Sequence, residues 1–215
     1  NVLWPSQGLY ASLKLQEAGI FGDFSFIKMS PEVRGYLPVL QDKFILGARL
    51  GAGVILPIED EGAPPVLQFE AGGGNSVRGF GRNNITWWTG PGCPAPSPIR
   101  DDAKGCTVAI GGDVMYLGNI EARVPSGESL GVVGVVDTGH VALSQGETWS
   151  EFKSLDINEW QLAVGAGLRY RTMIGPIRLD FAYRLRDPAG HEKGLQIFGT
   201  KGCQCGVHFA IGEAF

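Results

Sequence analysis

The sequence has no apolar run long enough to cross a membrane as a helix. A spanning helix needs about 18 consecutive apolar residues, and the nearest approach here is LGVVGVV at 130–136. Positive charge is also scarce, because 18 Lys and Arg stand against 22 Asp and Glu, for a net charge of -4. These absences exclude a helical membrane protein and give no electrostatic reason to expect a nucleic-acid partner. The 3 histidines lack metal-ligand spacing, so neither a metal nor a cofactor is expected.

Glycine, in contrast, is abundant. Of 215 residues, 33 are Gly, and only 19% are charged. This composition is typical of a turn-rich β-protein rather than a disordered one. The sequence begins at Asn1 without a methionine or a basic and apolar leader, so we expect a signal peptide to have been removed or to lie upstream.

Cysteine is rare, with 4 residues in the chain. Cys93 and Cys106 bracket a segment rich in Pro and Gly. We expect them to form a disulfide, which would close a loop and indicate a non-cytosolic compartment. Cys203 and Cys205 form a C-x-C pair. Because a metal site there lacks a convincing ligand set, we expect a loop staple or a thiol on the lipid-facing exterior.

Apolar and polar residues alternate with a period of two through long segments. The segment 160–170 has apolar residues at its even positions and polar or small residues at its odd positions. The segment 177–185 reverses this parity and carries Arg178, Asp180 and Arg184 on its polar face. Such alternation is typical of strands whose two faces meet different environments. We expect the charged face to be a solvated wall, with a lumen charge ladder as the alternative.

The length and spacing of these segments favour a membrane barrel. The segments run about 11 to 15 residues, which exceeds the usual soluble strand and suits a tilted membrane strand. Tight connections alternate with long ones, as expected for short periplasmic turns and long outer loops. Aromatic residues lie near predicted strand ends, at Trp4, Tyr36 and Trp160. The predicted fold is all-β, an antiparallel transmembrane β-barrel, with a soluble sandwich as the alternative. About eight strands are predicted, at residues 6–18, 22–37, 43–57, 109–124, 129–141, 158–172, 176–186 and 206–215.

A glycine-rich stretch in the longest connection carries a family resemblance. The sequence GGGNSVRGFG at 72–81 resembles the VRGF/Y motif on the sixth extracellular loop of the BamA/TamA superfamily of outer-membrane assembly and translocation barrels. The similarity continues along the chain. LWPSQG resembles the family's strand entry, NIEARVP its post-loop strand and GPIRLDFAYRL its penultimate strand. VHFAIGEAF resembles its closing strand with the C-terminal β-signal.

The resemblance implies a loop that folds back into the barrel lumen. In the family, the arginine of this loop meets a carboxylate of an F/G-x-D-x-G motif on the barrel wall. The matching stretch here is VVDTG at 135–139, which departs from the motif at its first position but keeps Asp137. Glu121, in NIEARVP, matches the second acidic position. A guanidinium in a partly wet lumen can form charge-assisted bonds to both carboxylates, which would make the loop an internal plug and brace. The loop-motif residues are Val77, Arg78, Gly79 and Phe80.

The resemblance also implies an incomplete barrel. An eight-stranded barrel is filled by its own side chains, so the chain cannot close alone around the loop at 59–108. The family barrel has sixteen strands preceded by periplasmic POTRA domains. We therefore expect residues 1–215 to be the C-terminal half of such a barrel without a POTRA domain, with a missing N-terminal half or a second chain supplying the other strands. The expected closing strand and signal are Val207, Phe209, Ile211, Gly212 and Phe215.

The function implied by the resemblance is insertion or translocation of β-barrel or secreted proteins, without nucleotide, at the outer membrane of a Gram-negative bacterium. Clients would pair with a seam at the last strand. The implied partners are outer-membrane lipid, client proteins and periplasmic accessory proteins. The alternatives are a passive pore or structural barrel and the membrane anchor of an upstream patatin-like enzyme domain. The chain itself is not expected to be an enzyme, because its G-x-S-x-G match, GESLG at 127–131, joins two predicted strands instead of a strand and a helix.

Overall fold

The computed structural model describes eleven β-strands, eight of which form one antiparallel sheet. The eight are β1 (Gly8–Ala18), β2 (Phe26–Val39), β3 (Phe44–Pro57), β7 (Val114–Ser126), β8 (Leu130–Ala142), β9 (Gln161–Thr172), β10 (Gly175–Arg186) and β11 (Cys205–Ile211). The residues described are 5–19, 24–40, 43–58, 63–90, 100–101, 105–109, 111–127, 129–143, 156–173, 175–188 and 203–212. The predicted all-β, antiparallel architecture is confirmed.

The strands of the large sheet follow one another in chain order, β1-β2-β3-β7-β8-β9-β10-β11. Within the described residues β1 and β11 each pair with one neighbour, so both are edge strands. The connection between β3 and β7, where no strand was predicted, forms a separate sheet of β4 (Trp87–Gly90), β5 (Arg100–Asp101) and β6 (Gly105–Ala109). Its strand order is β4-β6-β5. No helix in the described part is long and apolar enough to cross a membrane.

The second strand differs from its predicted bounds at both ends and has an irregular ladder. It runs from Phe26 to Val39 and contains a gap in its pairing with β3, between Met29 and Glu32. Pro31 lies in this gap, and proline has no N–H to donate to a ladder. The register is the same on both sides of the gap, so the strand continues through it.

The two faces of the sheet differ in burial. The inner face, on which the loop 69–86 packs, has buried side chains such as Val133 and Ala163, each 1% exposed. The outer face carries exposed apolar side chains, and Leu50 and Phe209 are each 69% exposed. A soluble sandwich would bury its apolar face against a second sheet. Here the apolar face is exposed, and the polar face is buried where the loop packs on it, so the sandwich alternative is wrong.

Tyr36, one of the aromatic residues near predicted strand ends, lies on the inner face of the sheet. The Tyr36 ring lies 5.1 Å from the guanidinium of Arg123, an inner-face residue. Trp160 instead stacks on Tyr116 at 5.5 Å between ring centroids. Trp4 lies outside the described residues.

Two apolar clusters hold the loop on the inner face. In the first, Val77, Phe80 and Ile85 of the loop pack with wall residues of β7, β8 and β9. In the second, Phe69 packs with residues of β2 and β3 and lies directly over Gly53, where a Cβ would come within 2.5 Å of the ring. Because Gly53 has no side chain, the Phe69 ring packs directly on the strand, and the loop begins close to the wall.

Candidate functional site: the loop anchor

Glycines shape the loop segment that carries the arginine. Gly72 and Gly73 have φ of 113° and 94°, the left-handed region that favours glycine. A Cβ at Gly72 would lie 2.3 Å from the carbonyl oxygen of Gly81, so only glycine fits where the two arms of the loop meet. The Ser76 hydroxyl accepts a hydrogen bond from the Gly72 N–H at 2.7 Å. This folded segment presents Arg78 to the inner wall.

Arg78 binds two carboxylates of the wall. Its Nε donates to Asp137 Oδ2 at 2.6 Å and its Nη2 donates to Asp137 Oδ1 at 2.7 Å, which makes a bidentate pair. Its Nη1 donates to Glu121 Oε1 at 2.5 Å. The main-chain N–H of Arg78 also donates to Asp137, at 3.1 Å. The structure thus brings together the three residues that the resemblance placed in contact.

These groups are shielded from water. Arg78 and Asp137 are each 1% exposed and Glu121 is 0% exposed. Burial alone would lower the pKa of Arg78, but its bonds to Asp137 and the charges of Glu121 and Asp180 raise that pKa above its usual value. The guanidinium is therefore a fixed positive charge, and removing it would leave buried carboxylates without their main partner.

The ion pair belongs to a larger network. Glu121 also accepts from Arg123, at 2.9 Å from Nε, and from Arg169, at 3.3 Å from Nη2. Arg169 in turn donates to Asp180 at 2.6 Å. That contact passes over Gly167, where a Cβ would lie 2.0 Å from the Asp180 carboxylate. Strands β7, β8, β9 and β10 are thus connected through their inner faces.

An amide orients the central carboxylate. Asn119 Nδ2 donates to Asp137 Oδ1 at 2.8 Å and to the carbonyl oxygen of Ser76 at 2.5 Å. Asn119 and Asp137 are direct partners in the ladder between β7 and β8. One side chain therefore holds both the wall carboxylate and the loop backbone.

The residues that flank Arg78 pack into apolar sites. Val77 is 0% exposed and lies over Gly139, where a Cβ would be 2.6 Å from a Val77 methyl. Phe80 is 2% exposed, and the Arg184 guanidinium lies 5.4 Å from its ring centroid. Gly139 closes the VVDTG stretch, so this stretch supplies both the carboxylate and the seat for the loop.

The charged face of β10 is not the solvated wall that was expected. Arg178, Asp180 and Arg184 are between 1% and 4% exposed. Arg178 donates to the Gly74 carbonyl oxygen at 3.2 Å and to Asn75 Oδ1 at 2.5 Å. The expectation was wrong because the loop covers this face and replaces water as the hydrogen-bond partner.

Several loop contacts were not predicted from the sequence. Arg49 Nη1 donates to the Asn75 carbonyl oxygen at 2.8 Å, and Gln161 Nε2 donates to the Ile85 carbonyl oxygen at 3.3 Å. The N–H of Gly79 donates to His208 Nε2 at 3.0 Å. All three wall residues occupy inward positions of the period-two pattern, which was the available signal.

Strand β11, the expected closing strand, exposes its expected apolar residues. Val207, Phe209 and Ile211 are 47%, 69% and 58% exposed on the outer face. Gly212 has φ of 101°, and its N–H donates to the Pro176 carbonyl oxygen at 2.8 Å. Phe215 and Cys93 lie outside the described residues, so the predicted Cys93–Cys106 disulfide does as well. Cys203 is joined to Cys205 by a disulfide.

The G-x-S-x-G match does not assemble a catalytic triad with Asp137 and His140, the acidic residue and histidine that follow it in the chain. Ser129 precedes β8, whereas His140 lies near the end of that strand. Eleven extended residues span roughly 35 Å, which is far beyond hydrogen-bond reach. Asp137 is bound to Arg78 instead.

A meandering antiparallel sheet, apolar outside and clasped inside by a buried arginine, defines a barrel-wall protein with an internal loop anchor. A model of the Omp85 superfamily domain matches residues 1–215, and the chain belongs to this superfamily. This confirms the resemblance seen in the sequence. Omp85 proteins are outer-membrane β-barrels and are generally non-enzymatic transport or assembly proteins.

The proteins that are similar to the chain include two described as BamA. The outer membrane protein assembly factor BamA of Neorickettsia risticii is 24% identical over 200 residues, which cover 93% of this chain and 25% of that protein. The crystal structure of BamA from Haemophilus ducreyi lacking POTRA domains 1-3 superimposes with a TM-score of 0.66 at 19% identity, covering 87% of this chain and 37% of that one. The chain therefore matches part of the BamA fold and spans about a quarter of the length of the Neorickettsia relative.

Proposed function

We propose that the protein inserts or translocates β-barrel or secreted proteins at an outer membrane, without nucleotide. The eight-stranded sheet is the C-terminal part of a transmembrane barrel, and a missing N-terminal half or a second chain supplies the other strands. Outer-membrane lipid contacts the apolar outer face, and periplasmic accessory proteins assist. The distant similarity to an outer membrane protein assembly factor supports this assignment.

The observation that carries the proposal is the buried bond set of Arg78. A loop held by a bidentate pair to Asp137 and a third bond to Glu121 is fixed to the wall more firmly than surface charges allow. The loop therefore stabilises the barrel from the inside, and the strands of the barrel remain available for clients.

The site for clients is the free edge of β11. Within the described residues this strand pairs only with β10, and its outer face is apolar. An edge strand presents a row of N–H and C=O groups that a client strand can pair with. Membrane-embedded groups left unpaired are costly, so the edge favours strand addition. This arrangement requires neither a catalytic residue nor a cofactor.

The proposal is tested by reconstituting the full-length protein in liposomes and measuring the folding of an unfolded outer-membrane barrel added from outside. We expect faster client folding than in empty liposomes, and slower folding with Arg78→Ala. Arg82, which is exposed on the same loop, provides the matched control Arg82→Ala. If the protein conducts ions across a planar bilayer but leaves client folding at the level of empty liposomes, it is a passive pore and the proposal is wrong.

A further inference from the structure

The loop motif contacts the edge strand β11 as well as β7 and β8. The N–H of Gly79 donates to Nε2 of His208 at 3.0 Å. His208 is the ladder partner of Asp180, an inner-face residue of β10, so both lie on the face that the loop covers. Accepting this bond requires a neutral imidazole with its proton on Nδ1.

The loop backbone also packs directly on β11. A Cβ built at Gly206 would lie 3.2 Å from the Cα, C and O atoms of Gly79. A Cβ built at Gly74 would lie 3.3 Å from Cβ of His208. The loop therefore meets β11 at two positions, and one of them is the inward-facing histidine.

Consecutive loop residues reach strands that are far apart in the sheet. Arg78 binds Asp137 on β8, whereas Gly79 binds His208 on β11, three strands further along. Neighbouring strands are about 4.8 Å apart, so the two contacts span roughly 14 Å of sheet. The position of β11 relative to β8 is thus linked to the docking of a single dipeptide.

We propose that His208 is a positioning residue that couples the docked loop to the edge strand β11. While Arg78 is docked, the Gly79 N–H holds His208 and keeps β11 against β10. When the loop leaves the wall, β11 loses this restraint and opens more readily. The inference deepens the proposed function. It rests on that function only for what the opening achieves, which is to offer the edge of β11 to a client strand.

The test is hydrogen–deuterium exchange of the full-length protein in lipid nanodiscs, with no client present, so that its outcome is separate from that of client folding. His208→Leu keeps the size of the side chain but removes the acceptor. We expect exchange roughly tenfold faster both in residues 77–81 and in β11, because one partly buried hydrogen bond is lost. His208→Gln restores an acceptor and should return both segments towards wild type. His140→Leu, the same change away from the loop, should alter neither.

Arg78→Ala tests the coupling in the opposite direction. If the coupling exists, exchange in β11 rises although no residue of β11 has changed. Unchanged β11 exchange in a folded Arg78→Ala variant would overturn the proposal, as would faster β11 exchange in His208→Leu that His208→Gln fails to reverse. Heat-modifiable migration on a gel establishes that each variant is folded. If His208→Leu does not fold, the Arg78→Ala measurement decides alone.

Discussion

The inner face of the sheet has two sectors that differ in the solvent exposure of their polar side chains. In the covered sector, formed by the inner faces of β7 to β10, Glu121, Asp137 and Arg169 are at most 1% exposed and bound to one another or to the loop. In the open sector, the inner face of β1, Lys14 and Gln16 are exposed. Both sectors show the same alternation. The pattern therefore decides which face is polar, whereas the docked loop decides whether those polar groups are solvated or buried in ion pairs.

The largest effect is expected where the loop is anchored to the covered sector. Arg78→Ala should lower the free energy of unfolding by about 3–5 kcal/mol, because it leaves two buried carboxylates without their main partner. Urea titration of the full-length protein in lipid measures this value. Arg82→Ala, on the exposed part of the same loop, should change it by less than about 0.5 kcal/mol.

The Arg78 result can be separated into its partners by a double-mutant cycle. Arg78→Ala combined with Asp137→Ala should cost at least about 0.5 kcal/mol less than the sum of the single changes, since both remove one bidentate contact. Additive single changes would show that the Arg78–Asp137 contact does not contribute in the membrane.

Packing beneath the loop gives the next largest effect. Gly139→Val should destabilise by about 1–3 kcal/mol, because the new side chain occupies the space of a Val77 methyl. Gly134→Val is the matched control, as Gly134 lies on the same strand and a Cβ there would have no atom within 4 Å. Equal urea midpoints for the two variants would contradict the close packing of Val77 against Gly139.

A smaller effect is expected at the boundary between the sectors. Arg49 bridges Glu32 on β2, at 2.7 Å, and the Asn75 carbonyl oxygen of the loop. Arg49→Ala should cost about 1 kcal/mol, because the site retains some solvent. Arg34 also binds Glu32 but does not bind the loop in the described contacts, so Arg34→Ala should cost less and leave loop proteolysis unchanged. Equal rates of loop proteolysis in Arg49→Ala and Arg34→Ala would show that Arg49 does not help to anchor the loop.

The sequence predicted the strands better than it predicted their surroundings. All eight predicted strands overlap strands of the sheet, and alternation located segments such as 160–170 and 177–185, because the period of two is a local property of an extended chain. The contact of Arg78 with Asp137 was expected only from the family motif, since nothing local relates positions that are 59 residues apart. His208 lies 129 residues from Gly79. The closing-strand resemblance and the period of two place His208 on an inward position of the last strand, but neither relates it to the loop. Arg178 was assigned to a solvated wall because the pattern does not reveal which part of the polar face a loop covers.

The smallest effect is expected in the open sector, and it tests the comparison from the opposite side. Lys14→Ala should change the free energy of unfolding by less than about 0.5 kcal/mol, because an exposed lysine keeps its hydration and leaves no buried partner when removed. Urea titration beside Arg78→Ala provides the measurement. A loss of several kcal/mol would mean that β1 buries Lys14 against strands or a loop supplied by the rest of the barrel. The docked loop would then not be the only element that buries polar groups of the inner face. Each sector would be covered by a different part of the protein, and the difference in exposure between the sectors would not be due to the loop alone.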